Sequence, residues 1–468
     1  MTAFIFTLLP FIYAFSIWAF SVSKTDLVLS HYLWLLLLSN ALLSVFYLMA
    51  RKCKATVLHW KLGMLVFGCA PIVTPSLLQT DQLRYIWDGL HLSQGVNPYS
   101  FSPQSVIETM PQGVNLILKS GAQVPIPWAR YINHPEFFTV YPPLAEILFA
   151  ISTHLNPFFS SVGVNYGLPW VRKFLPHFVF WPWELGLRIM VGFALAGTVF
   201  ILRKFRWDLL LFHPLVFLTA IANLHVDALM LPLLALVFIP NQLTRLSPHG
   251  LILSAAFLVR WLPALFIPAT VIDILRREGL RSAGLMFLTI ASVCGVLFFY
   301  FWLGSNGNMF SSPKAYAEHW YFFGFLHRFI MDLLVFSGAH GHHAQYAKVL
   351  LAAPFVLSCA FVLWMQWKGK LSFQLASLLI LILFFMVSPT LHPWYLLSVL
   401  LVGFRYMHLL KVVWVWPLLA PLSYTYYFEM TDVPLVRVSV YVVISVLLLF
   451  DGRLILNRIN RLWFVKAP

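Results

Sequence analysis

The sequence predicts an all-α, polytopic membrane protein, from its composition, its charge placement and its length. Of 468 residues, 60% are hydrophobic and 10% charged, against roughly 25% charged in an ordinary soluble domain. No fold with water on every side could hide this much Leu, Phe, Val and Trp. The same abundance excludes a disordered chain, which lacks the apolar surface to fold. Lys and Arg number 31 against 16 Asp and Glu, a net charge of +15. These cations cluster at the ends of apolar runs, the positive-inside signature of membrane topology, which speaks against a nucleic-acid partner.

Apolar segments long enough to span lie near 3–23, 29–50, 62–80, 141–160, 183–202 and 207–240, the last kinked or split in two. Others lie near 250–274, 282–303, 347–367, 372–390, 394–410, 411–427 and 434–451, with a weaker aromatic one at 320–337. At about 20 residues per span the total is about 12 to 15 helices. Met1 to Phe20 lacks a basic start and a small-residue cleavage site, so it reads as a retained span. Arg51, Lys52, Lys54 and Lys61 should be cytoplasmic, as should Arg203, Lys204, Arg206, Arg276, Arg277, Arg281, Lys368, Lys370 and the stretch Arg453 to Lys466. The chain then divides into N-terminal spans (1–80), a long outer segment (81–140) and a remaining bundle (141–468). That bundle carries short outer loops near 304–319 and 388–393. Cys53, Cys69, Cys294 and Cys359 show no CxxC spacing, so neither a zinc site nor a disulfide framework is indicated.

A long non-membrane segment in a compact protein is usually functional, and 81–140 opens with Asp81-Gln-Leu-Arg84-Tyr85-Ile-Trp87-Asp88-Gly89. On a helix, Asp81, Arg84, Tyr85 and Asp88 share one face, with the arginine between two carboxylates. Such a pair suits general-base work or metal binding, and equally an interfacial ion pair capping a helix. Asn97-Pro98-Tyr99 reads as a turn. Asn133-His134-Pro135-Glu136 and Tyr141-Pro142-Pro143-Leu144 return the chain to the membrane. Further on, Arg260 interrupts an apolar run, which demands a partner such as Asp227, a cavity, or snorkelling. His225-x-Asp227 could bind a divalent ion or be a polar pair at a helix break. His340-Gly341-His342-His343 reads as an exposed loop.

Taken in order, Asp81-x-x-Arg84-Tyr85-x-Trp87-Asp88-Gly89, Gly95-x-Asn97-Pro98-Tyr99 and Tyr141-Pro142-Pro143-Leu144 resemble the GT-C superfamily of membrane glycosyltransferases. His213-Pro214 with His225-Val226-Asp227, Arg260-Trp-Leu-Pro263 and Ser388-Pro389-x-x-His392-Pro393-Trp394-Tyr395 extend the resemblance over most of the chain. It is closest to bacterial polyprenyl-phosphate-mannose-type mannosyltransferases and more distant from glycosylphosphatidylinositol mannosyltransferases. His213 stands where that family usually has Asn, and the part before Asp81 is longer than in the simplest members.

The resemblance implies transfer of a hexose, most plausibly mannose, from a polyprenyl-phosphate carrier to a glycan or lipid-linked acceptor. The site would lie at the outer face, with inversion in one displacement. Asp81 would be the general base, and Asp88 would orient the acceptor or help to ligate a divalent metal ion. Arg84, His134, His225, Arg260 and His392 are candidate cations for the donor phosphate. Tyr85, Tyr141, Asp227, Trp394 and Tyr395 complete the expected substrate site. The alternative is a lipid-linked-sugar flippase or other transporter, which would need charges lining a path through the bilayer. No endoplasmic-reticulum retrieval tail is recognisable, which favours a bacterial inner membrane.

Overall fold

A computed structural model describes residues 57–73, 80–109, 115–117, 123–125, 129, 131–155, 184–205, 207–238, 246–338, 341–407, 409–424 and 434–464. The segments expected to span at 3–23 and 29–50, and the basic residues Arg51, Lys52 and Lys54, lie outside the described residues. The rest is helical almost throughout. The main helices are α1 (Val57–Val73), α2 (Asp81–Ser93), α3 (Pro143–His154), α4 (Leu185–Ile201) and α5 (Asp227–Phe238). Then come α6 (Leu246–Val259), α7 (Ile267–Glu278), α8 (Leu280–Leu303), α9 (Ser311–His319) and α10 (Leu326–Phe336). The chain continues through α11 (His343–Trp367), α12 (Phe373–Val387), α13 (Leu396–Gly403), α14 (Val412–Leu419) and α15 (Pro434–Phe464). One departure from all-α is a small antiparallel hairpin in the long segment, pairing Leu116 with Val124.

Three helices are long and apolar enough to cross a membrane: Leu280–Leu303, His343–Trp367 and Pro434–Ile455. Their apolar side chains face outward, Val296, Leu357 and Leu449 among them, as lipid contact would require. Several other expected spans are divided into shorter pieces, and Pro214 stands at one of the breaks. Pro lacks an amide hydrogen and clashes with the preceding turn. The run at 207–240 breaks at His213-Pro214, passes through a π-helical turn at Phe217–Ala222, and breaks again at Asn223–Val226 before α5. Leu224 takes φ of 51° there, a left-handed conformation that non-glycine residues rarely adopt. The run at 250–274 breaks at Arg260, between α6 and a 3-10 turn at Leu262–Phe266.

Packing brings these breaks together. Lipid is as apolar as Leu, so helices in a bilayer associate by close approach more than by hydrophobic burial. Gly192 of α4 lies against Gly68 of α1, where a Cβ would come within 2.2 Å of the Gly68 carbonyl oxygen. Gly89 of α2 lies as tightly on α3, its absent Cβ 2.4 Å from the Phe149 carbonyl oxygen. The core centres on α4, α5 and α13, with Val191, Leu195, Leu231, Leu234, Leu397 and Leu400 completely enclosed. The expected turn at Asn97 forms: Tyr99 N donates to Asn97 Oδ1 at 3.0 Å. The Asn97 amide reaches Phe301 O at 2.7 Å, tying the long segment to α8.

Candidate functional site

Five helix ends and breaks meet at one place. Asp81 occupies the first turn of α2, where the helix dipole favours a carboxylate. Tyr141 immediately precedes α3. His225 and Asp227 sit at the break before α5, and Arg260 at the break after α6. Trp394 and Tyr395 lie in the 3-10 turn Pro393–Tyr395 that leads into α13, with His392 just before it.

The polar groups form a line. Asp227 Oδ2 lies 2.9 Å from Arg260 Nε and 2.7 Å from His225 Nδ1, and the Asp227 amide donates to Nδ1 at 3.4 Å. His225 Nε2 faces Asp81 Oδ2 at 3.7 Å. Asp227 is fully enclosed and Arg260 nearly so, and a buried charge of either sign is expensive without the other. Asp81, at the end of the line, remains 24% exposed and accepts from Asn133 Nδ2 at 3.3 Å. The Arg260 guanidinium stands 5.5 Å from the centres of both the Tyr141 and Tyr395 rings. Tyr395 shares a hydroxyl–hydroxyl bond of 2.7 Å with Tyr316.

Aromatic rings support this line from one side. Phe322, His392, Trp394 and His225 stack in sequence, with centroids 4.4, 4.2 and 4.3 Å apart and planes within 26° of parallel. Phe322 is held there by two backbone hydrogen bonds, donating to Pro389 O and accepting from Leu391 N. Burial, reinforced by His225 and Arg260 nearby, holds the His392 ring well below the usual histidine range. Its ring lies in the stack between Phe322 and Trp394. Tyr85 approaches His225 edge-on and stacks on Phe149 at 4.7 Å.

Arg84 and Asp88 belong elsewhere. The expectation of an arginine shared by two carboxylates is corrected: Arg84 Nε donates to both Asp88 oxygens, at 3.0 and 2.8 Å. Its Nη1 donates to Phe137 O at 2.9 Å. Asp88 is 1% exposed. Burial pushes its carboxyl up and the Arg84 guanidinium opposes the rise. Behind it Glu146 of α3, fully buried, accepts from Thr139 Oγ1 at 2.6 Å. His134, another expected phosphate ligand, is half exposed, pairs with Glu136 at 3.3 Å and meets the Trp320 ring edge-on. It takes a left-handed φ of 49°, next to the Asn133 that bonds Asp81. His213, in place of Asn, caps a short helix by accepting from Leu215 N and donates to Trp414 O, so its role is structural.

Guanidinium groups occupy Asp88 and Asp227, which leaves Asp81 alone in the site. Among the described residues no group of three His, Cys, Asp or Glu side chains is arranged to hold a divalent metal ion. At the histidine-rich loop, His342 bonds to Gln345 at 2.9 Å, and His340 lies outside the described residues. Asn133, Tyr316 and Phe322 were not among the expected site residues. Asn133 gave a signal as the first residue of a turn returning to the membrane, and Phe322 as part of the aromatic segment that begins at 320. Comparison with protein-family models, curated proteins and solved structures returned no match for this chain.

Proposed function

We propose that the chain is an integral-membrane glycosyltransferase of GT-C type, moving a hexose from a polyprenyl-phosphate carrier to a glycan or lipid-linked acceptor. The main support is Asp81, a carboxylate left partly exposed at the start of a helix and backed by a buried line of polar groups. A base of this kind must be reachable by a hydroxyl and held in place, and Asp81 meets both conditions. It would take the acceptor proton as the oxygen attacks the sugar carbon, a contribution of about 10²–10⁴-fold. Arg260, the guanidinium joined to this line, would offset charge developing on the departing lipid phosphate. Tyr141, Tyr395 and Trp394 would line the sugar and prenyl path.

The reading is tested by incubating purified protein with radiolabelled polyprenyl-phosphate mannose and a membrane extract. Label should move into a lipid-linked or glycan product. Label recovered only in donor would overturn the reading and favour a transporter. Sidedness is tested separately. Cysteine at exposed Gln104 should react with an impermeant reagent from outside, and cysteine at exposed Glu278 should not. The reverse pattern would remove the outer-face site.

A further inference from the structure

We infer that the face expected to be cytoplasmic carries a binding site for an anionic phospholipid, whose phosphate is held by Arg276, Arg281 and Lys368. Such a site would serve the chain whatever reaction it performs. Two of the three helices long and apolar enough to cross a membrane end there: α8 begins at Leu280 and α11 finishes at Trp367. The amphipathic helix α7 packs against both and brings Arg276 and Arg277, in its last turn, to the same level. The ends of spans mark the membrane surface, where basic residues gather.

Arg276 is fixed in place. Its Nη1 donates to Gln366 O at 2.7 Å, and Gln366 Nε2 donates in return to Ala269 O at 2.8 Å, so α7 and α11 are joined twice. Gly369 makes the room. It takes φ of 72°, and a Cβ there would stand 2.8 Å from Arg276 Nη2. A carbonyl partner orients the guanidinium without cancelling its charge. Arg277 differs, being paired with Asp273 at 3.2 Å. Among the described residues none of Arg276, Arg281 and Lys368 forms an ion pair with a carboxylate, and all three are exposed. A cation held in position beforehand binds with less ordering cost.

Charge alone would suit any anion, and the flanks narrow the choice. Leu285 and Leu288 of α8, and Phe361, Trp364 and Trp367 of α11, are exposed along the two spans that lead away from the cations. Indole rings at the ends of spans sit at headgroup level. A molecule with an anionic head and apolar tails satisfies both parts. A free phosphate or an acidic peptide satisfies one. Anionic lipids are also concentrated in the cytoplasmic leaflet.

The test uses the full chain, delipidated in detergent and titrated with dioleoylphosphatidylglycerol or dioleoylphosphatidylcholine, with bound lipid counted by native mass spectrometry. Phosphatidylglycerol should bind about 100-fold more tightly than phosphatidylcholine, at about fivefold per cation. Arg276→Gln/Arg281→Gln/Lys368→Gln should remove that preference. Lys368→Gln alone, on an exposed side chain, should lower it about fivefold, which keeps the test decisive if the triple variant does not fold. Arg203→Gln/Lys204→Gln, at another basic cluster expected to be cytoplasmic, should leave it intact. A preference that survives loss of the three cations, or that falls equally with the Arg203 and Lys204 changes, overturns the inference. Displacement of the bound lipid by inorganic phosphate or by an oligoglutamate peptide also overturns it, because neither covers the apolar flanks.

Discussion

Two charged groups on α2 sit one turn apart in sequence and behave oppositely. Arg84 and Asp88 face inward, bond to each other twice and are closed off by Phe137, Thr139 and Glu146. Among the described residues Asp81 is paired with no Lys or Arg, keeps a quarter of its surface open and meets an amide and an imidazole. The first group spends its charge on holding the chain together. The second keeps its charge available. A carboxylate's partner is set by which face is buried, and the nearest arginine in sequence is a poor guide to that.

The contrast is broken most sharply at Arg84. Arg84→Ala strands the Asp88 carboxylate in a closed interior, which costs about 3–5 kcal/mol. Unfolding in graded denaturing detergent should show that loss, and a stability near wild type would mean that Asp88 reaches water. Asp81→Asn should do the reverse. Transfer should fall by about 10²-fold or more while the unfolding midpoint stays put, and retained transfer would return Asp81 to the role of an ion-pair cap.

Acid sharpens the comparison on the inward side. His91 of α2 donates Nδ1–H to Trp87 O at 2.8 Å and packs on Trp87 and Phe101. Burial pushes it down to about 4 from 6.5. The unfolded chain therefore binds this proton first, and stability falls as pH drops from 6.5 toward 4. Between pH 7 and 5 the loss should be about 2 kcal/mol, and His91→Phe should remove that slope. The smallest effect belongs to His392→Ala, which interrupts the ring stack at a value of about 1 kcal/mol. Donor KM should rise about fivefold with acceptor KM unchanged. Equal effects on both would make the stack general scaffolding.

The sequence disclosed the parts of this arrangement that depend on local rules. Composition and charge placement imply a membrane protein, and the break in 207–240 follows from Pro214. Pairing of Arg260 with Asp227 was one of the alternatives the lone buried charge demanded. The partner of Arg84 was not legible, because helical spacing sets it equally near Asp81 and Asp88 and only burial against α3 decides. The four-ring stack was hidden for another reason. Its members come from three segments up to 169 residues apart (225 to 394), and no periodicity relates them.

Gly89 gives the molecule a gauge. Eight residues separate it from Asp81, about 12 Å along a rigid helix, and its bare backbone rests on the Phe149 carbonyl. Any side chain there would prop α2 away from α3 and swing the far end of the rod. A misplacement of about 1 Å at a reacting group can cost 10²-fold in rate. The reach of the carboxylate is thus calibrated by the thickness of a residue with no chemistry, two turns beyond the site.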